Sequence, residues 1–288
     1  MIASGILKLY PVEPFEYTFV EQGLSNWALA PYLARCLIAS EIFLGLMVIL
    51  NSHKNVAIKG VLFLLVLFTI YLGIGLIRNG NNGNCGCFGT FLSMTPLQSI
   101  FKNFGLMIVS ILLLKINQPR VKKLKWLSWI IAAGSLAIPF ILNPVEIPAN
   151  NDFEATVNEK IDFNLLPPFK EKDTLVNFSE GEKILAFMSV NCSHCKLGSY
   201  KLFILTKQYN LPPVYVFFIG EDWKVDDFFS ASRSNFPYVM FQKKEFFKFS
   251  GPNIPSFLYV KNGTILKHWN SETLTESEVE IFGKREAK

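Results

Sequence analysis

The chain has few of the residues from which metal centres and disulfide scaffolds are built. It contains five cysteines and three histidines in 288 residues. Five cysteines are too few for a disulfide framework. The histidines, His53, His194 and His268, do not cluster in the sequence. We therefore predict no metal site.

Charge is also scarce, at 18% of the residues, and the formal net charge is only +5. Lysine and arginine are spread over loops and strand edges, without the alternation with aromatic residues that is typical of nucleic-acid binding. We therefore predict no nucleic-acid partner. Residues 1–10 lack a full apolar core and a small-residue cleavage site, so no cleaved signal peptide is expected.

Apolar residues, by contrast, are abundant: they make up 50% of the chain and are concentrated in its first half. A membrane span needs about 20 largely apolar residues. Four stretches meet this requirement fully or in part, at residues 31–50, 56–77, 103–116 and 126–142. The third is short unless residues 93–101 add to it. The pattern predicts an α-helical transmembrane bundle of about four helices at residues 1–145.

Two short loops of this bundle are basic, and such loops stay on the cytoplasmic side. Two membrane crossings separate these loops, so both loops lie on the same face of the membrane. Residues 85–87 and everything after residue 142 then lie on the opposite face, where disulfides persist. We expect a multi-pass protein of the inner (cytoplasmic) membrane with a periplasmic C-terminal domain. The basic residues are Lys54 and Lys59 in the first loop and Arg120, Lys122, Lys123 and Lys125 in the second.

After a predicted linker at residues 146–155, the pattern becomes that of a soluble α/β domain, residues 156–288. Asn262-Gly263 between two short apolar runs is a strong hairpin signal. Strands are predicted at 183–190, 214–219, 238–241, 256–261 and 264–269, and helices at 196–209, 223–232 and 275–282.

Cys192-Ser193-His194-Cys195 follows the first predicted strand and precedes a helix. A sulfur at a helix N-terminus is stabilised as thiolate by the helix dipole and the free amides. We therefore expect Cys192 to be the nucleophile and Cys195 to resolve the mixed disulfide. His194 should favour the Cys192 thiolate further. A zinc knuckle or an inert structural disulfide is the alternative.

The order of strand, CxxC, helix, strand and then Ile254-Pro255 before a hairpin resembles the thioredoxin fold over residues 152–288. The resemblance implies that Pro255 is cis and faces the cysteine pair. Asn191 stands where many thioredoxins have tryptophan, so a different docking surface is expected.

A second pair, Cys85-Gly86-Cys87, lies in a glycine- and asparagine-rich loop between apolar segments. A CxC disulfide closes a very small ring, and strained disulfides are labile and oxidising. Gly86 and Gly89 supply the backbone freedom that such a ring needs. Two unpaired loop cysteines or a metal site are the alternatives.

This loop, with Lys8-Leu9-Tyr10-Pro11 and then Phe15-Glu16-Tyr17, resembles the MauE/DoxX-type redox-associated membrane proteins over residues 5–142. In methylamine-utilisation systems such a protein is partnered by a separate thioredoxin-like protein. The resemblance implies a four-helix bundle that supports thiol-disulfide exchange, fused here to its own thioredoxin-like partner. Almost nothing precedes Lys8, so most of the family's first helix is expected to be missing.

Three residues of the first full span have more than one interpretation. Cys36 is either a third thiol or, as we favour, a small apolar core residue. Arg35 and Glu41 are costly in lipid and should face the bundle interior or extend to the membrane surface. Arg35 is shallow enough to extend to the surface, which we favour over a functional role. Glu41 is deeper, where it relays protons, contacts a quinone or makes a structural hydrogen bond.

Together these features predict a thiol-disulfide oxidoreductase that relays electrons between Cys85/Cys87 and Cys192/Cys195. Its expected partners are the lipid bilayer and client thiols or disulfides, for disulfide formation, reduction or isomerisation. No cofactor is predicted, and no motif supports a quinone. Vitamin K epoxide reductase fusions are a quinone-coupled alternative, but they carry a CxxC inside the bundle. A redox-inactive, membrane-tethered chaperone or binding module is the other alternative.

Overall fold

The computed structural model describes residues 1–50, 53–79, 81, 94–116, 125–145, 162–171, 174–242 and 244–285. The chain forms two compact units, Met1–Val145 and Glu146–Lys288.

The described residues of the first unit form helices and the turns between them, as its apolar sequence predicts. Three helices are long and apolar enough to cross a membrane, and the apolar part of a fourth is shorter, Ile130–Leu142. The helices are α1 (Ile2–Leu7), α2 (Glu13–Glu21), α3 (Ala30–Ile49), α4 (Lys54–Asn79), α5 (Pro96–Lys115) and α6 (Lys125–Leu142).

Helix α5 is longer than the predicted third span because of its N-terminal cap. The Thr95 hydroxyl accepts a hydrogen bond from the Gln98 amide, and the Gln98 side chain accepts one from the Thr95 amide, at 3.4 and 3.0 Å. This reciprocal capping box satisfies two amides that have no partner within the helix. It adds residues 96–102 to the span.

Arg35 is buried, so the prediction that it extends to the membrane surface is wrong. Its side chain is 4% exposed and is paired with Glu16 of α2. The guanidinium also donates to the carbonyls of Asn143 and Pro144, at 2.7 and 3.3 Å. A buried arginine needs such partners to offset its desolvation. These partners come from α2 and from the end of α6.

Glu41 has an ionic partner that the sequence did not indicate. Its carboxylate lies 2.5 Å from the Lys8 ammonium, and both side chains are buried. The ammonium also lies over the rings of Phe15 and Phe68, 4.8 and 5.1 Å from their centroids. One cation therefore joins the segment after α1 to three further helices.

The prediction that Cys36 is a core residue is wrong, because its side chain is exposed. The buried face of α3 includes Ala34, Ile38 and Ile42, spaced four residues apart. Cys36 is two residues from that line and points away from it, since two residues correspond to about 200° around a helix.

The second unit is built around one five-stranded sheet with the strand order β5-β4-β3-β6-β7. Strands β3, β4 and β5 are parallel to each other, and β6 and β7 are antiparallel to their neighbours. The strands are β3 (Glu182–Ser189), β4 (Val214–Ile219), β5 (Tyr238–Met240), β6 (Ser256–Lys261) and β7 (Thr264–Trp269), and a small separate hairpin is formed by β1 (Lys170–Glu171) and β2 (Thr174–Leu175).

Helices connect the strands and cover the sheet. Strand β4 and the β6–β7 hairpin have the predicted bounds, whereas α7 begins three residues before the predicted helix. The first turn of α7 therefore includes Cys195. The short helix α9 was not predicted. The helices are α7 (Ser193–Gln208), α8 (Val225–Ser232), α9 (Phe246–Ser250) and α10 (Glu276–Val279).

The core of this unit is aromatic and lies on the central strands. Phe187 of β3 and Phe217 of β4 stack at 5.0 Å, and Phe246 of α9 packs edge-on against Phe187 at 5.6 Å. All three are fully buried. Such packing fixes the C-terminal ends of β3 and β4, from which the loops of the candidate site extend.

Candidate active site around Cys192 and Cys195

The cysteine pair lies at the junction between β3 and α7. Cys192 is the N-cap of α7, and its sulfur accepts a hydrogen bond from the Cys195 amide at 3.2 Å. Both cysteines are free thiols; Cys192 is half-buried and Cys195 is fully buried. Of the two sulfurs, Cys192 is therefore the one that another molecule reaches first.

The surroundings shift the pKa values of the two thiols in opposite directions. A hydrogen bond from the Cys195 side chain, with smaller contributions from the Cys195 amide and the charge of His194, lowers the pKa of Cys192 to about 6. Burial raises the pKa of Cys195, although its sulfur accepts a hydrogen bond from the Ser189 amide at 3.5 Å. At neutral pH the site therefore holds a thiolate beside a protonated thiol, as a nucleophile and a resolving thiol require.

We expect alkylation of reduced Cys192 to reach half its maximal rate near pH 6, because the reactive thiolate accumulates as pH rises through the pKa. At pH 7 about nine tenths of Cys192 is then thiolate, against about 3% for a thiol of pKa about 8.5. The measurement is the rate of iodoacetamide modification between pH 4 and 9. His194→Ala should raise the midpoint by less than one unit, since the His194 charge is a smaller contribution. A midpoint near 8.5 would contradict the assignment.

Pro255 packs against the cysteine helix. The Ile254–Pro255 peptide bond is cis, as predicted. A Cβ on Gly198 would lie 2.9 Å from the Pro255 side chain, so glycine allows this close approach. Gly198 is three residues after Cys195 and lies on the same side of α7. Pro255 is thus held beside the first turns of that helix.

The structure adds a residue cluster that the sequence did not indicate. Asn191, immediately before the nucleophile, donates to Glu221 and accepts from Lys224, both at 2.8 Å. Strands β3 and β4 are adjacent and parallel, so they end at the same edge of the sheet and the loops that follow them meet. Cys85 and Cys87 lie outside the described residues.

The N-terminal unit matches a known family. Residues 1–116 match the sequence model of the family described as Methylamine utilisation protein MauE. This region is a MauE-type membrane domain. The resemblance to this family, which was predicted from the loop around Cys85-Gly86-Cys87 and from the Lys8–Pro11 segment, is confirmed.

Comparison with individual proteins covers both units. Protein TlpB of Flavobacterium psychrophilum is 27% identical over 94% of this chain and 88% of that protein. The thioredoxin domain of a thiol-disulfide oxidoreductase from Bacteroides vulgatus is 15% identical, covering 40% of this chain and 91% of that one with a TM-score of 0.33. StoA from Bacillus subtilis is 20% identical, covering 40% and 93% with a TM-score of 0.32.

The C-terminal unit is a thioredoxin-like domain. The strand order, the CxxC at the start of α7 and the cis proline before β6 show this directly. The chain thus joins an N-terminal unit that matches the MauE family model over residues 1–116 to a thioredoxin-like domain with two free cysteines at the start of α7.

Proposed function

We propose that this protein is a membrane-anchored thiol-disulfide oxidoreductase in which Cys192 attacks client disulfides and Cys195 resolves the mixed disulfide. The observation that carries the proposal is the contrast within the pair. Cys192 is accessible, caps a helix and has a lowered pKa, whereas Cys195 is buried and keeps its proton. His194 supports the thiolate, and Pro255 lies beside the same helix.

Each half of the reaction forms one S–S bond and breaks another. The Cys192 thiolate attacks a client sulfur, and the client's second sulfur leaves as a thiolate. Cys195 then attacks the Cys192 sulfur and gives its proton to the departing client thiolate. The protein ends as the Cys192–Cys195 disulfide and the client as a dithiol. The reverse sequence oxidises a client, and the reduction potentials of the partners set the direction.

The proposed internal partner of this pair is Cys85/Cys87 of the membrane domain. Two features support it. The pairs are on one polypeptide, which gives them a high effective concentration for each other. The CxC sequence also closes a small, strained ring, which favours exchange with an external thiol. Electrons would pass between the two pairs and then to or from clients.

The proposed location of the thioredoxin-like domain is the periplasmic face of the inner membrane. The basic residues at the start of α4, Lys54 and Lys59, and those leading into α6, Arg120, Lys122, Lys123 and Lys125, support this orientation, because basic residues that flank short connections remain in the cytoplasm. The oxidising compartment on the opposite side suits a disulfide-exchanging domain.

A membrane-impermeant maleimide tests both activity and orientation in intact cells. We expect reduced Cys85, Cys87 and Cys192 to be labelled in intact cells. In a Cys36→Ser, Cys85→Ser, Cys87→Ser background, which keeps only Cys192 and the buried Cys195, labelling of Cys192 should follow mild reduction and be lost after mild oxidation. Labelling only after permeabilisation would overturn the orientation. Equal labelling after reduction and after oxidation would contradict the proposed oxidoreductase function and favour a redox-inactive chaperone.

A further inference from the structure

The loop after β4 lies directly against the residues that lead to Cys192. Ser189 of β3 pairs with Ile219 of β4, and the Val190 amide donates to the Ile219 carbonyl at 3.2 Å. Gly220 has a φ of +120°, and a Cβ there would lie 2.5 Å from the Val190 side chain. Glycine at this position therefore lets the two loops touch.

A closed ring of three polar side chains then joins these loops. The Asn191 amide donates to Glu221 and its carbonyl oxygen accepts from Lys224, and Lys224 lies 3.3 Å from the same Glu221 carboxylate. The hydrogen bond from Asn191 is the largest cause that keeps the pKa of Glu221 below its usual value. Glu221 therefore stays ionised at neutral pH, and the ring fixes the start of the loop beside the nucleophile.

Trp223 lies within this fixed loop, and its side chain faces solvent. It is 73% exposed, more than any other aromatic side chain in the part of the chain that the structure describes. The Lys224 ammonium that contacts Asn191 also lies 5.0 Å from the Trp223 ring centroid. One cation therefore reaches both the residue before Cys192 and the indole. An aromatic side chain already held in place loses little entropy when a partner covers it.

The surface around the indole is acidic. Asp222, Asp226 and Asp227 are exposed, and the charges of Asp222 and Asp226 help to raise the pKa of Tyr238. Glu221 is paired with Lys224, so these aspartates are the charges that a partner meets beside Trp223. A basic segment complements this surface, and an acidic one is repelled.

We propose that Trp223 is the side chain of the thioredoxin-like domain that contacts clients, held in position by the Asn191–Glu221–Lys224 ring. The occupant is a cysteine-containing polypeptide segment with an apolar side chain and basic neighbours. This inference rests on the proposed function, because any client that exchanges with Cys192 must cover the adjoining surface. A polypeptide suits the site better than a lipid surface, since a bilayer on Trp223 would cover the reactive sulfur.

The test uses the full-length reduced protein in nanodiscs with three disulfide substrates. Two are mixed-disulfide peptides that contain one leucine and differ only in arginine or glutamate beside the cysteine; the third is neutral hydroxyethyl disulfide. In a single turnover, Trp223→Ala should lower the ratio of the second-order rate constant for the arginine peptide to that for hydroxyethyl disulfide about tenfold, through weaker binding of the peptide. Trp223→Phe should keep most of the ratio. Ile281→Ala is the matched control, because Ile281 is 62% exposed and lies near the chain segment that meets the far end of α7.

Two further variants test the positioning ring and the charge preference. Asn191→Ala should lower the same ratio about threefold while the pH midpoint of Cys192 alkylation moves by less than half a unit. Asp222→Asn with Asp226→Asn should reduce the preference for the arginine over the glutamate peptide, as should 0.5 M salt, which screens exposed charges.

Three results would overturn the proposal. Trp223→Ala with wild-type rate constants for every substrate would show that the indole does not contact clients. An equal loss with all substrates would assign Trp223 to the cysteine pair itself, and a loss in nanodiscs but not in detergent would assign it to the bilayer. Failure of the proposed oxidoreductase function would look different from these results, because the wild-type protein would then not exchange with hydroxyethyl disulfide.

Discussion

Cys195→Ser should turn a transient mixed disulfide into the main product, whereas Cys192→Ser should yield none and lower exchange at least a hundredfold. The reason is the division of roles in the pair. Cys192 is the accessible thiolate, and Cys195 is the buried thiol that releases the client. Without Cys195, only an external thiol cleaves the linkage.

The trapping experiment should be run at about pH 8.5. Cys195→Ser replaces the thiol whose hydrogen bond is the largest cause of the low pKa of Cys192 with a hydroxyl, and at pH 8.5 a large share of Cys192 is thiolate whether or not the hydroxyl keeps that bond. Adducts are counted on non-reducing gels and identified by mass spectrometry. Cys36→Ser is the control, since Cys36 is exposed but lies in the other unit. Adducts in Cys192→Ser that mass spectrometry maps to Cys195 would mean that Cys195 is the attacking sulfur.

The low pKa of Cys192 also bears on the direction of exchange. A stabilised thiolate favours the reduced form of the pair, which makes its disulfide more oxidising. The raised pKa of the buried Cys195 adds almost nothing at neutral pH, because a thiol of ordinary pKa is already protonated there. The reduced form of the pair is therefore stabilised by one ionised sulfur, that of Cys192. Its role as oxidant or reductant then depends on the potential of the partner that regenerates it.

Local signals in the sequence were sufficient for the main elements of the thioredoxin-like domain. Strand β4 is a continuous apolar run, and the Asn262-Gly263 turn has φ of 47° and 80°, which a two-residue hairpin turn requires. The cysteine pair was placed at a helix start for the same kind of reason. These features depend on neighbours in the chain, so periodicity and turn chemistry predict them.

Long-range contacts explain what the sequence did not indicate. Arg35 was expected at the membrane surface, but its partners are Glu16 and carbonyls more than a hundred residues further along the chain. The same holds for Asn191, whose two partners follow a different strand. Charge and hydropathy patterns indicate that such a residue is costly to bury, but they do not indicate which distant groups offset that cost.

The internal relay predicts a reversible covalent link between the two domains. Cys195→Ser combined with either Cys85→Ser or Cys87→Ser should accumulate a disulfide from Cys192 to the remaining loop cysteine. A protease site inserted in the linker at residues 146–155 reveals it, because after cleavage the fragments remain together without reductant and separate with it. We expect one of the two combinations to trap most of the protein, since the attacked sulfur must be exposed while its neighbour leaves.

Two controls make this result specific. Cys192→Ser in the same backgrounds removes the attacking sulfur and should leave the cleaved fragments separate. Co-expression of two differently tagged copies distinguishes a link within one chain from a link between chains, because only the latter joins both tags. If neither loop cysteine traps Cys192 while client adducts still form in Cys195→Ser, the two pairs serve separate partners and the relay is wrong. If a link forms only between differently tagged copies, the exchange is real but requires an oligomer, and fusion then serves to bring paired copies together.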